Sequence, residues 1–157
     1  MKHVLLAIAT AGLATAAAGS ETKSYTVSRS VSIDASAQEV WNVIGDFCDL
    51  DDWHPAFVGC ALKTREGGGV YRILTMDGGG EFVEKLIATE AGLSYTYSII
   101  ESPVPLERYT GTLSIAPGDP VNVTWSSRFK SADPSMEGVV ADVYQTGLDA
   151  LEAHFAQ

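Results

Sequence analysis

The sequence predicts an α+β fold in which a curved, seven-stranded antiparallel sheet wraps around a long C-terminal helix. Six segments after residue 56 alternate apolar and polar residues and are joined by short turn signals, which is typical of hairpins. The last twenty or so residues carry apolar side chains at helical spacing over about five turns. A helix with such a wide apolar face needs a large apolar surface, and the sheet is the available one.

The first strand is predicted over residues 25–33, where Arg29 interrupts the apolar positions and favours a place near the sheet edge. Two short helices follow this strand. The first begins after Ser36, which forms a capping box with Glu39, and its apolar positions continue to about Gly45. The second covers residues 48–53 and stops before Pro55, because proline disfavours helical geometry in the residue that precedes it.

The six later strands are predicted at 57–64, 70–76, 80–89, 94–101, 107–116 and 121–130. Glycine triplets at 67–69 and 78–80 resemble phosphate loops, but neither precedes a helix and no Lys-Ser/Thr pair follows, so both are interpreted as turns. Asp133 is predicted to cap the final helix, with Pro134 at its first position.

Residues 1–18 have the pattern of a secretory signal peptide: a basic start, an apolar run and small residues near a cleavage point. A membrane anchor is the alternative, but the apolar run is shorter than the roughly 20 residues that span a bilayer. Residues 19–157 are then predicted to form one domain, located in the periplasm or secreted.

The formal charge of −10 indicates which partners to expect. An acidic surface repels nucleic acid and anionic membranes, so we expect no nucleic acid partner and no stable membrane insertion after signal cleavage.

Cys48 and Cys60 are predicted to form a disulfide, because paired cysteines in an exported chain are first interpreted in that way. Two buried free thiols remain the alternative. A metal site is disfavoured, since His54 is the one further metal-ligand residue of the His or Cys type nearby. We therefore predict no metal and no cofactor.

Segment 45–55, GDFCDLDDWHP, is expected to form the rim of a cavity, with Trp53 and His54 presented at a bend. Strand alternation predicts which side chains face the final helix. The inward set includes Glu84, which needs a polar partner or ligand when buried, and Arg72 is an available cation. Glu84 paired structurally with Arg72 or Lys85 is the alternative, as is a hydrogen bond from His54 to the adjacent backbone.

The order of elements, together with segments 45–47, 53–55, 84–86, 95–101 and 123–125 and Tyr109, resembles the SRPBCC superfamily. This superfamily has the helix-grip fold of START lipid-transfer domains, polyketide cyclases and the birch-pollen allergen. The similarity is greatest to its bacterial polyketide cyclase/dehydrase-like branch, which includes a periplasmic accessory protein of methanol oxidation. The resemblance implies a deep cavity between sheet and helix, but no single activity.

Combined with strand and helix periodicity, the resemblance predicts a ligand-binding set: Trp53, His54, Arg72, Phe82, Glu84, Tyr95, Tyr97, Ile99, Tyr109, Trp125, Val140 and Tyr144. The leading hypothesis is an exported protein that binds a small, mainly hydrophobic or aromatic molecule. One alternative is a cyclase, dehydratase or isomerase that uses His54 and Glu84 for acid–base catalysis. Another is an accessory protein that docks to a periplasmic redox enzyme. The sequence contains no catalytic motif that decides for an enzyme.

Overall fold

The computed structural model describes residues 19–157, which form one seven-stranded antiparallel sheet and three helices. The predicted signal peptide, residues 1–18, lies outside the described residues. In chain order the elements are β1 (Lys23–Ile33), α1 (Ala37–Ile44), α2 (Leu50–Trp53), β2 (Phe57–Thr64), β3 (Val70–Met76), β4 (Glu81–Glu90), β5 (Ser94–Glu101), β6 (Glu107–Ala116), β7 (Val121–Ser131) and α3 (Met136–Phe155).

The strand order is β1-β7-β6-β5-β4-β3-β2, so β2 to β7 form a meander and β1 closes the sheet by pairing with β7. The edge position predicted for the first strand is confirmed. The predicted fold class is also confirmed, including the two short helices that follow β1 and the long C-terminal helix.

The ends of the helices follow from their caps. Ser36 and Glu39 form the predicted capping box at the start of α1. The last helix begins later than predicted, at Met136, with Ser135 at the N-cap position. Asp133 instead closes a turn before the helix, because its carboxylate accepts hydrogen bonds from the Ser135 backbone N–H at 2.9 Å and the Ser135 hydroxyl at 2.7 Å.

The core lies between α3 and the inner face of the sheet. Alternate residues of β6 and β7 are buried along nearly their whole length, as the period of two requires. On α3, the buried positions recur every three or four residues and include Val140, Tyr144, Leu148 and Leu151. Sheet and helix therefore bury one continuous apolar surface.

A disulfide joins Cys48, just before α2, to Cys60 on β2, with the two Cα atoms 5.5 Å apart. The predicted pairing is therefore present. It fixes the segment between α1 and α2 to the edge strand of the sheet.

Within residues 19–157, no helix is long and apolar enough to cross a membrane.

Candidate functional site

A cavity of about 60 Å³ lies between the inner face of the sheet and the first half of α3. The sheet, α2, the β5–β6 loop and α3 all contribute to its wall. Almost all of the lining is apolar or aromatic, and among the described lining residues Glu84 alone carries a charge. The lining consists of Leu50, Phe57, Phe82, Glu84, Tyr97, Ile99, Val104, Leu106, Tyr109, Trp125, Met136, Val139, Val140, Val143 and Tyr144.

Aromatic rings fill the inner end of this cavity. Trp125 of β7 stacks on Tyr144 of α3, with ring centroids 4.4 Å apart and planes 14° apart. Tyr97 and Tyr109, on the neighbouring strands β5 and β6, lie with their ring centroids 6.0 Å apart. These contacts join the sheet to α3 and explain why the enclosed space is small.

The hydroxyl groups of three tyrosines form a chain across the cavity. The Trp125 indole Nε1–H donates to the Tyr97 hydroxyl at 2.9 Å, Tyr97 contacts Tyr109 at 3.5 Å, and Tyr109 hydrogen-bonds to Tyr144. Burial raises the pKa of Tyr97, Tyr109 and Tyr144. The three phenols are therefore protonated and neutral at physiological pH.

A glycine makes room for this arrangement. A Cβ atom at Gly111 would lie 2.6 Å from Cζ and 2.7 Å from the hydroxyl oxygen of Tyr97, which is its cross-strand partner. A side chain at this position would therefore push the Tyr97 ring out of its place in the hydroxyl chain.

Glu84 and Arg72 form a buried ion pair between β4 and β3. The two residues are direct cross-strand partners, and Arg72 is fully buried while Glu84 is 5% exposed. Arg72 Nε and one terminal nitrogen, Nη2, lie 2.7 Å and 2.6 Å from the same carboxylate oxygen, Oε2. The structural pairing of Glu84 with Arg72, one of the alternatives open in the sequence, is therefore present.

Aromatic rings and a backbone carbonyl hold Arg72 in place. Its guanidinium lies 4.2 Å from the centroid of the Phe47 ring and 5.6 Å and 5.2 Å from those of Tyr95 and Tyr97. Arg72 Nη1 donates to the Phe47 carbonyl oxygen. These contacts tie the segment after α1 to the sheet beneath the cavity.

The two charges stabilise each other against burial. Burial raises the pKa of the Glu84 carboxyl, and the adjacent Arg72 charge opposes that rise. Burial alone would lower the pKa of Arg72, but the Glu84 carboxylate raises it overall, so the guanidinium stays charged. The result is a nearly neutral pair with one carboxylate group at the cavity wall.

His54 is buried behind the cavity, between α2, β7 and α3. Its Nδ1 accepts a hydrogen bond from the Ala56 backbone N–H at 3.1 Å, so the proton of the neutral ring resides on Nε2. That Nε2–H donates to the Val143 carbonyl oxygen at 2.9 Å. Burial lowers the pKa of His54. The hydrogen bond to adjacent backbone, an alternative for this residue, is present together with a second bond to α3.

Eight residues of the predicted ligand-binding set line the cavity, and four lie elsewhere. The eight are Phe82, Glu84, Tyr97, Ile99, Tyr109, Trp125, Val140 and Tyr144. Arg72 lies behind Glu84, and the rings of Tyr95 and Phe47 contact edge to face. Trp53 and His54 contact each other and Trp125, and no described residue accepts a hydrogen bond from the buried Trp53 Nε1. Glu84 and His54, the pair of the enzyme hypothesis, are therefore not assembled at one wall of the cavity.

Sequence reasoning left several lining residues out of the ligand-binding set: Leu50, Phe57, Val104, Leu106, Met136, Val139 and Val143. Three of them belong to the apolar stripe of α3, which the helical spacing did reveal. Val104 and Leu106 lie in the loop between β5 and β6, where no periodicity operates. The feature of the sequence that could have identified Val104 and Leu106 is that they are apolar although they lie in a surface loop.

In the part of the chain that the structure describes, no group of three or more His, Cys, Asp or Glu side chains is placed to hold a metal ion.

The family of polyketide cyclase, dehydrase and lipid-transport proteins has a sequence profile that matches residues 24–156. The chain belongs to this family. The match covers all three helices and all seven strands, except for Lys23, the first residue of β1. The match therefore leaves out only residues 19–23 and 157 of the described part of the chain. A comparison with curated proteins found no match.

Solved structures agree with this assignment. An uncharacterized protein of Bacillus thuringiensis is 31% identical, with a TM-score of 0.76 over 85% of this chain and 100% of that one. The XoxI protein of Bacillus cereus is also 31% identical, with a TM-score of 0.75 over 84% and 96%. The Zhui aromatase/cyclase of Streptomyces sp. R1128 is 15% identical, with a TM-score of 0.72 over 85% and 94%, and shows the shared fold. Fold and family together indicate a ligand-binding or cyclase-like protein.

Proposed function

We propose that the chain is an exported binding protein that holds a small, mainly apolar or aromatic molecule between the sheet and α3. The observation that carries this proposal is an internal cavity whose wall is apolar and aromatic except for a single carboxylate group and a few hydroxyls. Ligand sites in proteins have this composition, with a few polar groups that set orientation. The family description, which joins lipid transport with cyclisation, supports an apolar ligand.

The size of the cavity sets a condition on this function. A cavity that holds benzene measures about 150 Å³, so a volume of about 60 Å³ requires the wall to move before one aromatic ring can enter. The outer wall offers that movement, because Val139 is 42% exposed and Val104, Leu106 and Val143 are half-buried. We infer that ligands enter between α3 and the β5–β6 loop.

Export is part of the proposal and rests on two features. The Cys48–Cys60 disulfide fits an oxidising compartment such as the periplasm or the extracellular space. The pattern of residues 1–18 is that of a secretory signal. Fractionation of cells that express the full chain, with N-terminal sequencing of the secreted form, tests it. An uncleaved chain that remains in the cytoplasm contradicts it.

The binding proposal is tested by native mass spectrometry of the protein purified from its own cells under non-reducing conditions, followed by NMR titration with toluene. We expect a co-purifying small molecule, or saturable shifts of cavity residues with toluene. The variant Val140→Phe fills the cavity and should abolish toluene binding. The control Val58→Phe adds the same bulk at a position that is 60% exposed and should bind normally. Equal binding by both variants contradicts the proposal.

The acid–base alternative has less support from the geometry. Both ring nitrogens of His54 are engaged in hydrogen bonds, and the ring lies outside the cavity wall. Glu84 is paired with Arg72. Catalysis by these two residues would require His54 to leave both partners and turn towards the cavity.

A docking function is the second candidate, because the cavity is narrow and apolar side chains are exposed on the sheet. Val70 and Ile87 line a shallow depression on β3 and β4, and Leu62 on β2 is 56% exposed. An accessory protein would use such a patch against another protein. In the native mass spectra this function predicts a second polypeptide without a small molecule. Leu62→Glu should then remove that polypeptide, and Lys63→Glu, at an adjacent exposed position, should not.

A further inference from the structure

One oxygen of the Glu84 carboxylate has no partner among the described residues. Both contacts from Arg72 go to Oε2, which leaves Oε1 without a hydrogen bond from residues 19–157. Glu84 is 5% exposed and lines the cavity. A carboxylate oxygen that has no protein donor at a mostly apolar wall is a strong acceptor left open to the cavity, so a ligand that supplies a donor gains a charge-assisted hydrogen bond.

The charge of the pair limits which donor fits. Arg72 already balances Glu84, so an ammonium ligand would add a second positive charge close to the guanidinium. A ligand carboxylate would face the Glu84 carboxylate across an apolar cavity, where repulsion is strong. An uncharged donor, such as a hydroxyl or an amide N–H, avoids both penalties.

The tyrosine chain supplies a complementary group. Tyr97, Tyr109 and Tyr144 have three hydroxyl protons, but only two hydrogen bonds connect the three phenols. One proton therefore has no phenolic acceptor, whichever way the bonds are directed, and it is available either to the buried Ser127 hydroxyl beside Tyr109 and Tyr144 or to a ligand in the cavity. The oxygen of a ligand hydroxyl can accept this tyrosine proton, while its O–H donates to Glu84 Oε1.

We propose that the ligand is an uncharged molecule with an apolar body and one hydroxyl or N–H group, and that Glu84 Oε1 accepts the hydrogen bond from that group. This inference rests on the proposed binding function and names the class of ligand. It excludes fatty acids and other carboxylates as the preferred ligands. Alcohols and phenols are the expected class.

The test is a titration of the wild-type protein with four probes of matched shape, followed by NMR at neutral pH. Toluene gives the affinity of the apolar body alone. para-Cresol adds a hydroxyl, 4-methylanisole replaces its proton by a methyl group, and 4-methylbenzoate adds a negative charge. We expect para-cresol to bind about tenfold to a hundredfold more tightly than toluene and 4-methylanisole, because a hydrogen bond to a charged acceptor is gained. 4-Methylbenzoate should bind most weakly.

The outcomes separate this inference from the binding function. Equal affinities for para-cresol, 4-methylanisole and toluene overturn the assignment of a donor ligand and leave apolar binding intact. Preference for 4-methylbenzoate also overturns it. Binding of none of the four probes by protein that native mass spectrometry shows to be free of any co-purified molecule overturns the binding proposal, and this inference falls with it.

A double variant identifies Glu84 as the acceptor. Arg72→Met combined with Glu84→Leu removes the carboxylate together with its counter-charge, so no buried charge is left unpaired. The preference for para-cresol over toluene should disappear. The control Glu90→Gln changes an exposed carboxyl on the same strand and should keep the preference. A preference that persists in the double variant overturns the role of Glu84. If the double variant does not fold, the affinities of the wild-type protein for para-cresol, 4-methylanisole and toluene decide whether the preferred ligand donates a hydrogen bond.

Discussion

The His54 ring lies directly against the backbone of Gly147, in the middle of α3. A Cβ atom at Gly147 would overlap His54 Cδ2 and lie 2.7 Å from Nε2, the atom that donates to the Val143 carbonyl. The missing side chain therefore allows the imidazole to reach the helix backbone. This contact joins the bend before Pro55 to α3, beside the Trp125–Tyr144 stack at the inner end of the cavity.

Gly147→Ala should lower the free energy of unfolding, although alanine favours helices by up to about 1 kcal/mol over glycine. The added methyl group overpacks the site, which costs about 1–3 kcal/mol, and displaces a buried hydrogen bond worth about 1 kcal/mol. We expect a net loss of about 1–4 kcal/mol in urea unfolding at neutral pH.

Gly138→Ala is the matched control on the same helix. Gly138 is exposed, and a Cβ atom there would meet no heavy atom within 4 Å. This variant should gain stability, by up to about 1 kcal/mol. If both variants lose unfolding free energy, any glycine-to-alanine change in α3 is destabilising. That result would contradict the explanation by the contact between Gly147 and His54.

Titration of His54 makes stability depend on pH. Burial lowers its pKa below the ordinary value of 6.5, and the rings around it, Trp53, Phe57 and Trp125, carry no charge. Below pH 6.5 the unfolded chain takes up a proton that the folded chain does not, so the unfolded state binds more protons. Stability should therefore fall as the pH drops from 6.5 towards the lowered pKa, by up to about 1.4 kcal/mol per pH unit.

The measurement is urea unfolding of wild type and His54→Gln between pH 7 and pH 5. The variant lacks the ionisable ring, so its stability deficit relative to wild type should shrink as the pH falls. Glu84 has a raised pKa and acts in the opposite direction, but it is present in both proteins and cancels in the difference. A deficit that is constant with pH would show that His54 does not titrate in this way.

Reduction of the Cys48–Cys60 disulfide should lower the unfolding free energy by about 3 kcal/mol, since the bond closes a short loop. The midpoint of urea unfolding, with and without dithiothreitol, measures this loss. The double variant Cys48→Ser/Cys60→Ser should match the reduced wild type and should not respond to the reductant. A wild type with the same midpoint in both conditions would mean that the bond is not formed in solution.

Local patterns were sufficient to predict the fold. Alternation and turn signals placed β2, β3, β5 and β6 at their observed bounds, because each hairpin is encoded by contiguous residues. The predicted start of α3, at Pro134, was two residues early, since Asp133 hydrogen-bonds to Ser135 and forms a turn rather than a cap. Strand periodicity also assigned Phe82, Glu84 and Tyr97 to the inner face.

The geometry of the candidate site depends on contacts that no local pattern contains. His54 bonds to Val143, 89 positions away, so its orientation away from the cavity followed from the docking of α3. The sequence left Arg72 and Lys85 open as partners of Glu84, and the register of β3 against β4, which places Arg72 directly opposite Glu84, decided between them. The volume of the cavity depends on how Trp125 and Tyr144 stack across it, which periodicity does not specify.

The Arg72–Glu84 pair gives the last prediction, which concerns non-additivity. Glu84→Leu alone leaves the Arg72 guanidinium buried without a counter-charge and should cost about 3–5 kcal/mol of unfolding free energy. Adding Arg72→Met removes the stranded charge, and it also leaves the Phe47 carbonyl without its donor, at about 1–3 kcal/mol. The double variant should therefore be more stable than Glu84→Leu, although it carries one more substitution. A double-mutant cycle by urea unfolding measures this coupling. If the two losses simply add, the ion pair contributes no specific interaction, and Arg72 is held by Phe47, Tyr95 and Tyr97 alone.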